Sequence, residues 1–130
     1  MTSDLRVLVD QLKAVSHPLR LRVLSLLAAG ELCVCQVAEA LEVPMSSASE
    51  ALRELKRAGF VKERREGRWV FVSMVSEAEA SPFLKGLVDE VNHLAVVIDD
   101  RQRAGVVRTL SVPEVCCKVQ STTSGEVARV

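Results

Sequence analysis

The feature of this sequence that most limits its fold is a set of breaks that divides its apolar periodicity into short helices. Apolar residues recur at helical spacing over 5–15 and again over 19–27. The step from His17 to Pro18 separates the two segments, because the residue before a proline is disfavoured in the helical conformation. Pro18 suits the first turn of the second helix, and Gly30 is placed to end it. His17 is therefore interpreted as a helix-junction residue rather than as a metal ligand.

Two further helices are predicted on either side of a tight turn. The first covers about 34–41, and the segment 42–45 interrupts the helical pattern. The second begins at a cap provided by Ser46 or a neighbouring residue, runs to about Ala58 and is followed by Gly59. Two short helices joined in this way, the second with small polar and basic residues outward, are typical of a helix-turn-helix. The outward face carries Ser46, Ser49, Glu50, Arg53 and Arg57.

A basic β-hairpin is predicted next. The runs 60–64 and 69–74 are rich in strand-forming residues and flank a turn that contains Gly67. Seven basic and three acidic residues lie between Arg53 and Arg68, although the whole chain has 17 residues of each sign. That balance excludes a globally basic nucleic-acid-binding protein, but it leaves positive charge concentrated on the helix and hairpin that would face DNA. Base stacking on aromatic side chains is not favoured, because only 3% of the residues are aromatic. Trp69 is interpreted as a packing residue of the hairpin.

The C-terminal part of the chain is predicted to form one long helix. Ser81 is placed to cap it and Pro82 to occupy its first turn, and an apolar stripe continues from Leu84 to Ile98. This stripe and that of 5–15 exceed what a small helix-turn-helix needs for its own core. We therefore expect a homodimer that forms through the N- and C-terminal helices.

The domain boundary is placed where the helical periodicity fades, at Gly105. We predict one domain over residues 1–104 and a flexible C-terminal tail over 105–130, which contains Cys116 and Cys117. The predicted fold is mainly α with a small β-hairpin (α+β), arranged as a winged helix-turn-helix.

Four cysteines form two close pairs, Cys33 with Cys35 and Cys116 with Cys117. No apolar run approaches the roughly 20 residues that span a bilayer, and the first residues lack the pattern of a signal peptide. A cytoplasmic protein with no membrane partner is therefore expected. In a reducing compartment, paired cysteines more often bind metals or act in redox chemistry than form structural disulfides.

The stretch from about Val15 to Met74 closely resembles the ArsR/SmtB family of metal-responsive repressors. The matching segments, in chain order, are Ser-His-Pro-Leu-Arg at 16–20, Glu-Leu-Cys-Val-Cys at 31–35, Leu-Arg-Glu-Leu-Lys-Arg-Ala-Gly-Phe-Val at 52–61 and Arg-Arg-Glu-Gly-Arg-Trp-Val at 64–70. The recognition helix departs from the family pattern, since it begins Met45-Ser46-Ser47 and has Glu50-Ala51 where a bulky polar pair is usual. The operator preference of relatives is therefore not carried over.

The resemblance implies a repressor that binds double-stranded operator DNA as a homodimer and is released when trivalent arsenic binds Cys33 and Cys35. Thiolates favour soft ions, so cadmium or lead is the alternative inducer. Some relatives add a third cysteine at the position of Ala38, so here either two thiolates suffice or Cys116 and Cys117 act as auxiliary metal ligands. Simple packing of the first pair, and a bystander role for the second, are the alternatives. The predicted DNA-binding residues are Ser46, Ser47, Ser49, Glu50, Arg53, Arg57, Arg65 and Arg68.

A switch is suggested by helix geometry. Residues two apart on a helix point about 200° apart, so Cys33 and Cys35 are expected to converge on one ion only if the first helical turn distorts. Such a distortion would move the recognition helix.

Other classes of protein fit the sequence less well. A thiol-redox regulator on the same fold remains an alternative, with disulfides at Cys33 and Cys35 or at the vicinal pair. A thiol enzyme is disfavoured by the absence of Cys-x-x-Cys and of a βαβ pattern, so we predict that the protein is not an enzyme. A dimeric module that never binds DNA is disfavoured by the segregated positive charge. A zinc site on the terminal helix is disfavoured relative to a solvated acidic face that comprises Asp89, Glu90, His93, Asp99 and Asp100.

Overall fold

The computed structural model describes residues 4–76 and 79–115. Within that part of the chain, six helices surround a three-stranded antiparallel sheet, which confirms the mainly helical fold with a hairpin. The elements are α1 (Leu5–Val15), α2 (Pro18–Leu27), β1 (Leu32–Cys33), α3 (Val34–Leu41), α4 (Met45–Arg57), β2 (Val61–Glu66), β3 (Trp69–Met74), α5 (Pro82–Val91) and α6 (Ala95–Val107).

The break at His17 and Pro18 separates α1 from α2 as predicted, but the capping residue of α4 is not the predicted one. His17 is extended and Pro18 occupies the first turn of α2. At α4, Pro44 rather than Ser46 is the capping residue, and its carbonyl accepts the first helical hydrogen bond, from the Ala48 amide at 3.1 Å. The extended conformation of Pro44 already sets the start of the helix, so Ser46 lies within the first turn with its side chain exposed.

A short strand that the sequence did not predict precedes α3. Leu32 and Cys33 form β1 and pair with Val72 and Phe71 of β3, so that the sheet order is β1-β3-β2. Two residues are too few to show the alternation by which strands are recognised in a sequence. The pairing places the backbone of Cys33 directly beside the hairpin.

The predicted single C-terminal helix is wrong, because the chain breaks between α5 and α6. Leu94 is extended and caps α6, which resets the phase of the helix. Val97 is therefore buried, whereas the side chain of Ile98 is 44% exposed. The packed part of the chain also extends past the predicted boundary at 105, since Val115 is fully buried in the core. Cys116 and Cys117 lie outside the described residues.

Helix α2 lies at the centre of the core, where it packs against α4 and α6, and α3 packs against the same two helices. The largest fully buried side chains include Leu24, Leu55, Phe60 and Leu84. None of the helices in the described ranges is long and apolar enough to cross a membrane.

A buried carboxylate joins three of these helices. Asp100 of α6 is 1% exposed and accepts two hydrogen bonds from Arg22 of α2, at 2.9 Å to Oδ2 and 2.8 Å to Oδ1. Arg103 donates to the same Oδ1 and also, at 2.6 Å, to the carbonyl of Ala40 in α3. The hydrogen bond to Asp100 raises the pKa of Arg22 above its ordinary value. The network holds α6 against α2 and α3.

Replacing Asp100 with alanine is expected to lower the free energy of unfolding by about 3 kcal/mol, since two guanidinium groups lose their shared partner. Partial exposure of both arginines limits the loss to the lower end of the range for broken buried ion pairs. The neighbouring Asp99 is exposed, so Asp99→Ala should change the free energy of unfolding by less than about 0.5 kcal/mol. Chemical denaturation at one fixed protein concentration measures both, and equal losses would show that the network does not stabilise the fold.

Candidate metal site and nucleic-acid interface

Cys33 and Cys35 lie where β1 meets α3. Cys33 is the last residue of β1 and the capping residue of α3, where its sulfur accepts the backbone N–H of Gln36. The Gln36 side-chain oxygen in turn accepts the backbone N–H of Cys33 at 2.8 Å, so a cysteine takes the place that serine or threonine has in a capping box. The side chains of Cys33 and Cys35 are 1% and 5% exposed. Both sulfurs therefore lie at a helix N-terminus in the core.

The conformation of Cys33 removes the geometric constraint expected from the sequence. Cys33 has φ −76° and ψ 152°, which is extended rather than helical, so the angular separation of two residues on one helix does not apply to the pair. The premise that Cys33 and Cys35 both lie within one helical turn is therefore wrong. Both cysteines line one cavity.

This cavity, here called the cysteine cavity, has a volume of about 450 Å³. It is bordered by the two cysteines, by helix α4 and by the hairpin. Its walls are formed by Val34, Met45, Ser49, Leu52, Arg53, Lys56, Glu63, Arg68, Trp69, Val70 and Val72. Three of the residues predicted to contact DNA, Ser49, Arg53 and Arg68, therefore line the same space as the predicted metal ligands.

The two cysteines differ in their bonding state. Cys33 is a free thiol, whereas Cys35 is disulfide-bonded, so the two sulfurs are not joined to each other. Within residues 4–76 and 79–115, no group of three or more histidine, cysteine or acidic side chains is arranged to hold a metal ion. In the described part of the chain, the sulfurs at this junction are those of Cys33 and Cys35.

The acidic residues of α5 and α6 have separate environments. Asp89, Glu90, His93 and Asp99 are exposed, in agreement with a solvated face. Asp100 is the exception, because its carboxylate is buried and bonded to Arg22 and Arg103. That carboxylate is a structural ion-pair partner.

Helix α4 has the two faces that its sequence predicted. Ala48, Ala51, Leu52 and Leu55 are buried. The opposite face is exposed at Ser46, Ser49, Glu50, Arg53 and Arg57, and Ser47 is half-buried.

Ion pairs divide the basic residues of α4 and the hairpin into two groups. Lys56 pairs with Glu63 at 2.9 Å, and Arg64 pairs with Glu31 at 2.9 Å and with Glu66 at 2.8 Å. Arg64 also lies over the ring of Phe71, and its hydrogen bond lowers the pKa of Glu31. Lys62 pairs with Glu79, and Arg57 pairs more loosely with Glu54, at 3.4 Å. In the described part of the chain, the basic residues of this region without a carboxylate partner are Arg53, Arg65 and Arg68.

These three unpaired cations are all among the predicted DNA-binding residues. Arg65 lies near the end of β2 and Arg68 lies in the hairpin turn, where its guanidinium is 4.5 Å from the ring centre of Trp69. Positive charge without a nearby carboxylate is available to a phosphate group, so the electrostatics of the surface suit nucleic-acid binding.

Two contacts that connect the site to the rest of the fold were not predicted from the sequence. One is the ion pair between Glu31, next to β1, and Arg64 of the hairpin. The other is the network around Asp100. Both join residues more than 30 positions apart, and local spacing carries no signal of such pairs.

Comparison with known proteins places this fold in a family. Residues 17–63 match the model of bacterial regulatory proteins of the arsR family. An uncharacterised HTH-type transcriptional regulator of Methanocaldococcus jannaschii is 42% identical over 80 residues, which cover 61% of this chain and 88% of that protein. The chain belongs to the ArsR family. The structure of reduced HlyU from Vibrio cholerae, which is 30% identical, superposes with a TM-score of 0.59 over 69% of this chain and 90% of that one. This ArsR-family chain is thus a DNA-binding transcriptional regulator with a winged helix-turn-helix, and its relatives are regulators rather than enzymes.

Some relatives have more specific names. The arsenic resistance transcriptional regulator ArsR1 of Pseudomonas putida is 38% identical over 59% of this chain and 62% of its own length. A cadmium resistance regulatory protein CadC homologue of Staphylococcus aureus is 42% identical over 50% of this chain and 54% of its own length. The homodimeric winged helix-turn-helix domain Mb0332 of Mycobacterium bovis, which is 32% identical, superposes with a TM-score of 0.59 over 72% of this chain and 94% of that domain.

Replacing Arg68 with alanine is expected to weaken binding to all DNA sequences, because a phosphate loses its counter-charge. The plot of log affinity against log salt concentration should become shallower by about one unit. Lys85→Ala on α5 removes the same charge from an exposed site outside the basic region and should leave the slope unchanged. Salt-dependent fluorescence anisotropy with labelled duplex measures both slopes. Identical slopes in the two variants would contradict the assignment of the hairpin as a DNA contact.

Proposed function

We propose that this chain is a repressor that binds operator DNA as a homodimer and leaves it when trivalent arsenic binds the thiolates of Cys33 and Cys35. The observation that carries the proposal is the cysteine cavity. It is lined both by the two cysteines and by Ser49, Arg53 and Arg68, which are predicted to face DNA. An ion bound by the two sulfurs would therefore lie close to the proposed DNA-binding surface.

The choice of inducer follows from ligand chemistry. Thiolates select soft ions, and the named relatives include an arsenic and a cadmium regulator. Arsenic is the primary candidate, with cadmium or lead as alternatives. Both sulfurs are needed, so the metalloid binds only when Cys35 is reduced.

Cys116 and Cys117 complete the site in this proposal as auxiliary ligands. Val115, which directly precedes them, is fully buried in the same core cluster as Cys33 and Cys35. Residues 1–104 then form the DNA-binding and dimerisation domain, and the segment 105–130 brings the second cysteine pair.

The signal passes through the sheet and through α3. The backbone of Cys33 pairs with Phe71 of the hairpin, and Arg64 of the hairpin bonds Glu31 and lies over Phe71. Cys35 belongs to α3, which packs on α4. An ion that draws the two sulfurs together therefore shifts the hairpin relative to α4. A coupling of about 1–3 kcal/mol is typical of such systems.

On DNA, base edges and phosphates are contacted by different residues. We assign Ser46, Ser47, Ser49, Glu50 and Arg53 of α4 to base edges in the major groove. Arg57, Arg65 and Arg68 are assigned to phosphates.

The proposed dimer forms through exposed apolar side chains of α1 and α6. Leu5 is 74% exposed, and Ile98 and Val106 are 44% and 66% exposed. Exposed apolar side chains of this size are suited to an interface between copies of the chain, and a two-fold dimer suits a palindromic operator. Leu84 and Val91 of the predicted stripe are instead buried within their own chain, because the break before α6 separates them from the exposed face.

Ile98→Glu is therefore expected to convert the dimer to a monomer and to weaken operator binding. Ile98→Lys is the matched control. Its positive charge favours DNA, unlike that of glutamate, but it is equally unfavourable when buried in the interface. Both variants should sediment as monomers and lose DNA affinity. If both variants remain dimeric, the dimer interface lies elsewhere. If the unaltered protein binds DNA with full affinity as a monomer, the proposal of a dimeric repressor fails.

Cys33→Ser and Cys35→Ser should each keep DNA binding and lose release by arsenite, because each leaves at most one sulfur at the site. Cys116→Ser with Cys117→Ser should have a milder effect. The assay is binding of the reduced protein to the region upstream of its own gene, titrated with arsenite, cadmium, lead and zinc. Complete loss of response in the tail double variant together with a normal response of Cys33→Ser would place the site elsewhere.

The disulfide-bonded state of Cys35 favours a second candidate, a thiol-redox regulator on the same fold. In that case an oxidant such as diamide releases DNA without any metalloid, and Cys33→Ser, which retains Cys35, responds normally. Release by arsenite under reducing conditions, without an effect of diamide, supports the first candidate.

A further inference from the structure

We infer that the DNA interface extends beyond α4 and the hairpin to a pocket formed by α1, α2 and the C-terminal end of α4, where Lys13 and Arg20 bind a backbone phosphate. The inference rests on the proposed placement of α4 in the major groove. It adds a second point at which the protein holds the DNA backbone, on the strand across the groove from the hairpin.

This pocket, here called the basic pocket, has a volume of about 280 Å³. The charged residues that line it are Asp10, Lys13, Arg20, Glu54 and Arg57. Three cations thus face two carboxylates, so the pocket has a net positive charge. Arg57 is one of the residues assigned to phosphates, and the basic pocket therefore adjoins the proposed DNA-binding surface.

Two of the three cations are not engaged in ion pairs. Among residues 4–76 and 79–115, no carboxylate pairs with Lys13 or Arg20. Arg57 has a loose pair with Glu54, at 3.4 Å, and an exposed pair of this kind contributes little to stability. Lys13 is exposed and Arg20 is half-buried, so the positive charge of the pocket is available to a phosphate.

The position of the basic pocket around α4 determines which phosphate it meets. Each residue turns an α-helix by about 100°, so Lys56 is turned about 60° from Arg53 in one direction and Glu54 about 100° in the other. Lys56 lines the cysteine cavity on the hairpin side, whereas Glu54 lines the basic pocket. The face of α4 that is proposed to contact bases therefore lies between the hairpin and the basic pocket.

A helix in the major groove has a sugar–phosphate backbone on each side, because the groove is only about 12 Å wide. Arg65 and Arg68 of the hairpin lie on one side of α4. Lys13 and Arg20 lie on the other side, so they meet the opposite strand. Phosphate contacts fix the orientation of a protein on the duplex without reading its sequence, and contacts on both sides would hold α4 in the groove.

The proposed dimer leaves the basic pocket accessible. Leu5, Leu8 and Leu12 form an exposed apolar side of α1, since they lie within about 60° of one another around the helix. Lys13 is turned about 100° from Leu12 and lines the pocket beside α4. A second copy that packs on the apolar side of α1 therefore does not occupy the site.

Lys13→Ala and Arg20→Ala test the charge of the pocket. Each should make the plot of log affinity against log salt concentration shallower by about one unit, both with duplex from upstream of the gene and with an unrelated duplex. Asp10→Asn removes a negative charge from the same pocket and should strengthen binding to both duplexes. Salt-dependent fluorescence anisotropy measures these effects, with Lys85→Ala as the control outside the pocket.

Salt slopes of Lys13→Ala and Arg20→Ala equal to that of Lys85→Ala would overturn the inference. Because Lys13 is exposed, its variant decides the matter even if Arg20→Ala fails to fold. If the slope of Arg68→Ala is also unchanged, the proposed placement of α4 and the hairpin on DNA fails as well. A shallower slope in Arg68→Ala alone overturns only the basic pocket.

Ethylation interference locates the phosphate. Ethylation of one phosphate removes its charge, so it no longer weakens binding by a variant that lacks the side chain which contacts that phosphate. Within one half-site, the phosphates that become insensitive in Arg20→Ala should lie on the strand across the major groove from those that become insensitive in Arg68→Ala. Insensitive phosphates on the same strand in both variants would contradict the inferred arrangement.

Discussion

The pairing of β1 with β3 is the contact on which the rest of the account depends. It is two residues long, and it joins the backbone of Cys33 to Phe71 of the hairpin. Without it, the hairpin would still pack on α2, α3 and α4, but the backbone of Cys33 would not be joined to it. With it, the proposed sensing residues, the recognition helix and the hairpin enclose one cavity. The ion pair between Glu31 and Arg64 crosses the same junction on the surface and reinforces it.

Most of the fold was predictable because its elements are defined by local signals. The prediction of a helix over 34–41 is confirmed, and the second strand of the hairpin has its predicted bounds. The errors arise where a distant contact overrides the local pattern. Strand β1 exists only because β3 lies beside it. The buried stripe of α6 includes Asp100, a charged residue that no apolar pattern would select, and it is stable there only because Arg22 and Arg103 reach it.

The candidate site was predictable in its residue types and not in its geometry. Paired cysteines and outward basic residues are visible in the sequence. The extended conformation of Cys33 was not visible, because it follows from the sheet pairing. Likewise, nothing in the local charge pattern distinguishes Arg64, which is bound to Glu31 and Glu66, from Arg65 and Arg68, which have no acidic partner in the described chain. The local sequence shows how many charged residues a segment has, whereas the fold determines which of them lack an ion-pair partner and are available to bind DNA.

The most direct test of the account measures whether arsenic and DNA oppose each other through this junction. Coupling between two sites is reciprocal, so a ligand that weakens DNA binding must itself bind more weakly to the DNA-bound protein, by the same factor. The affinity of the reduced protein for arsenite should be determined with and without saturating duplex from upstream of its gene. The account predicts an affinity about 5–150-fold lower in the complex. Equal affinities in the two states would contradict it.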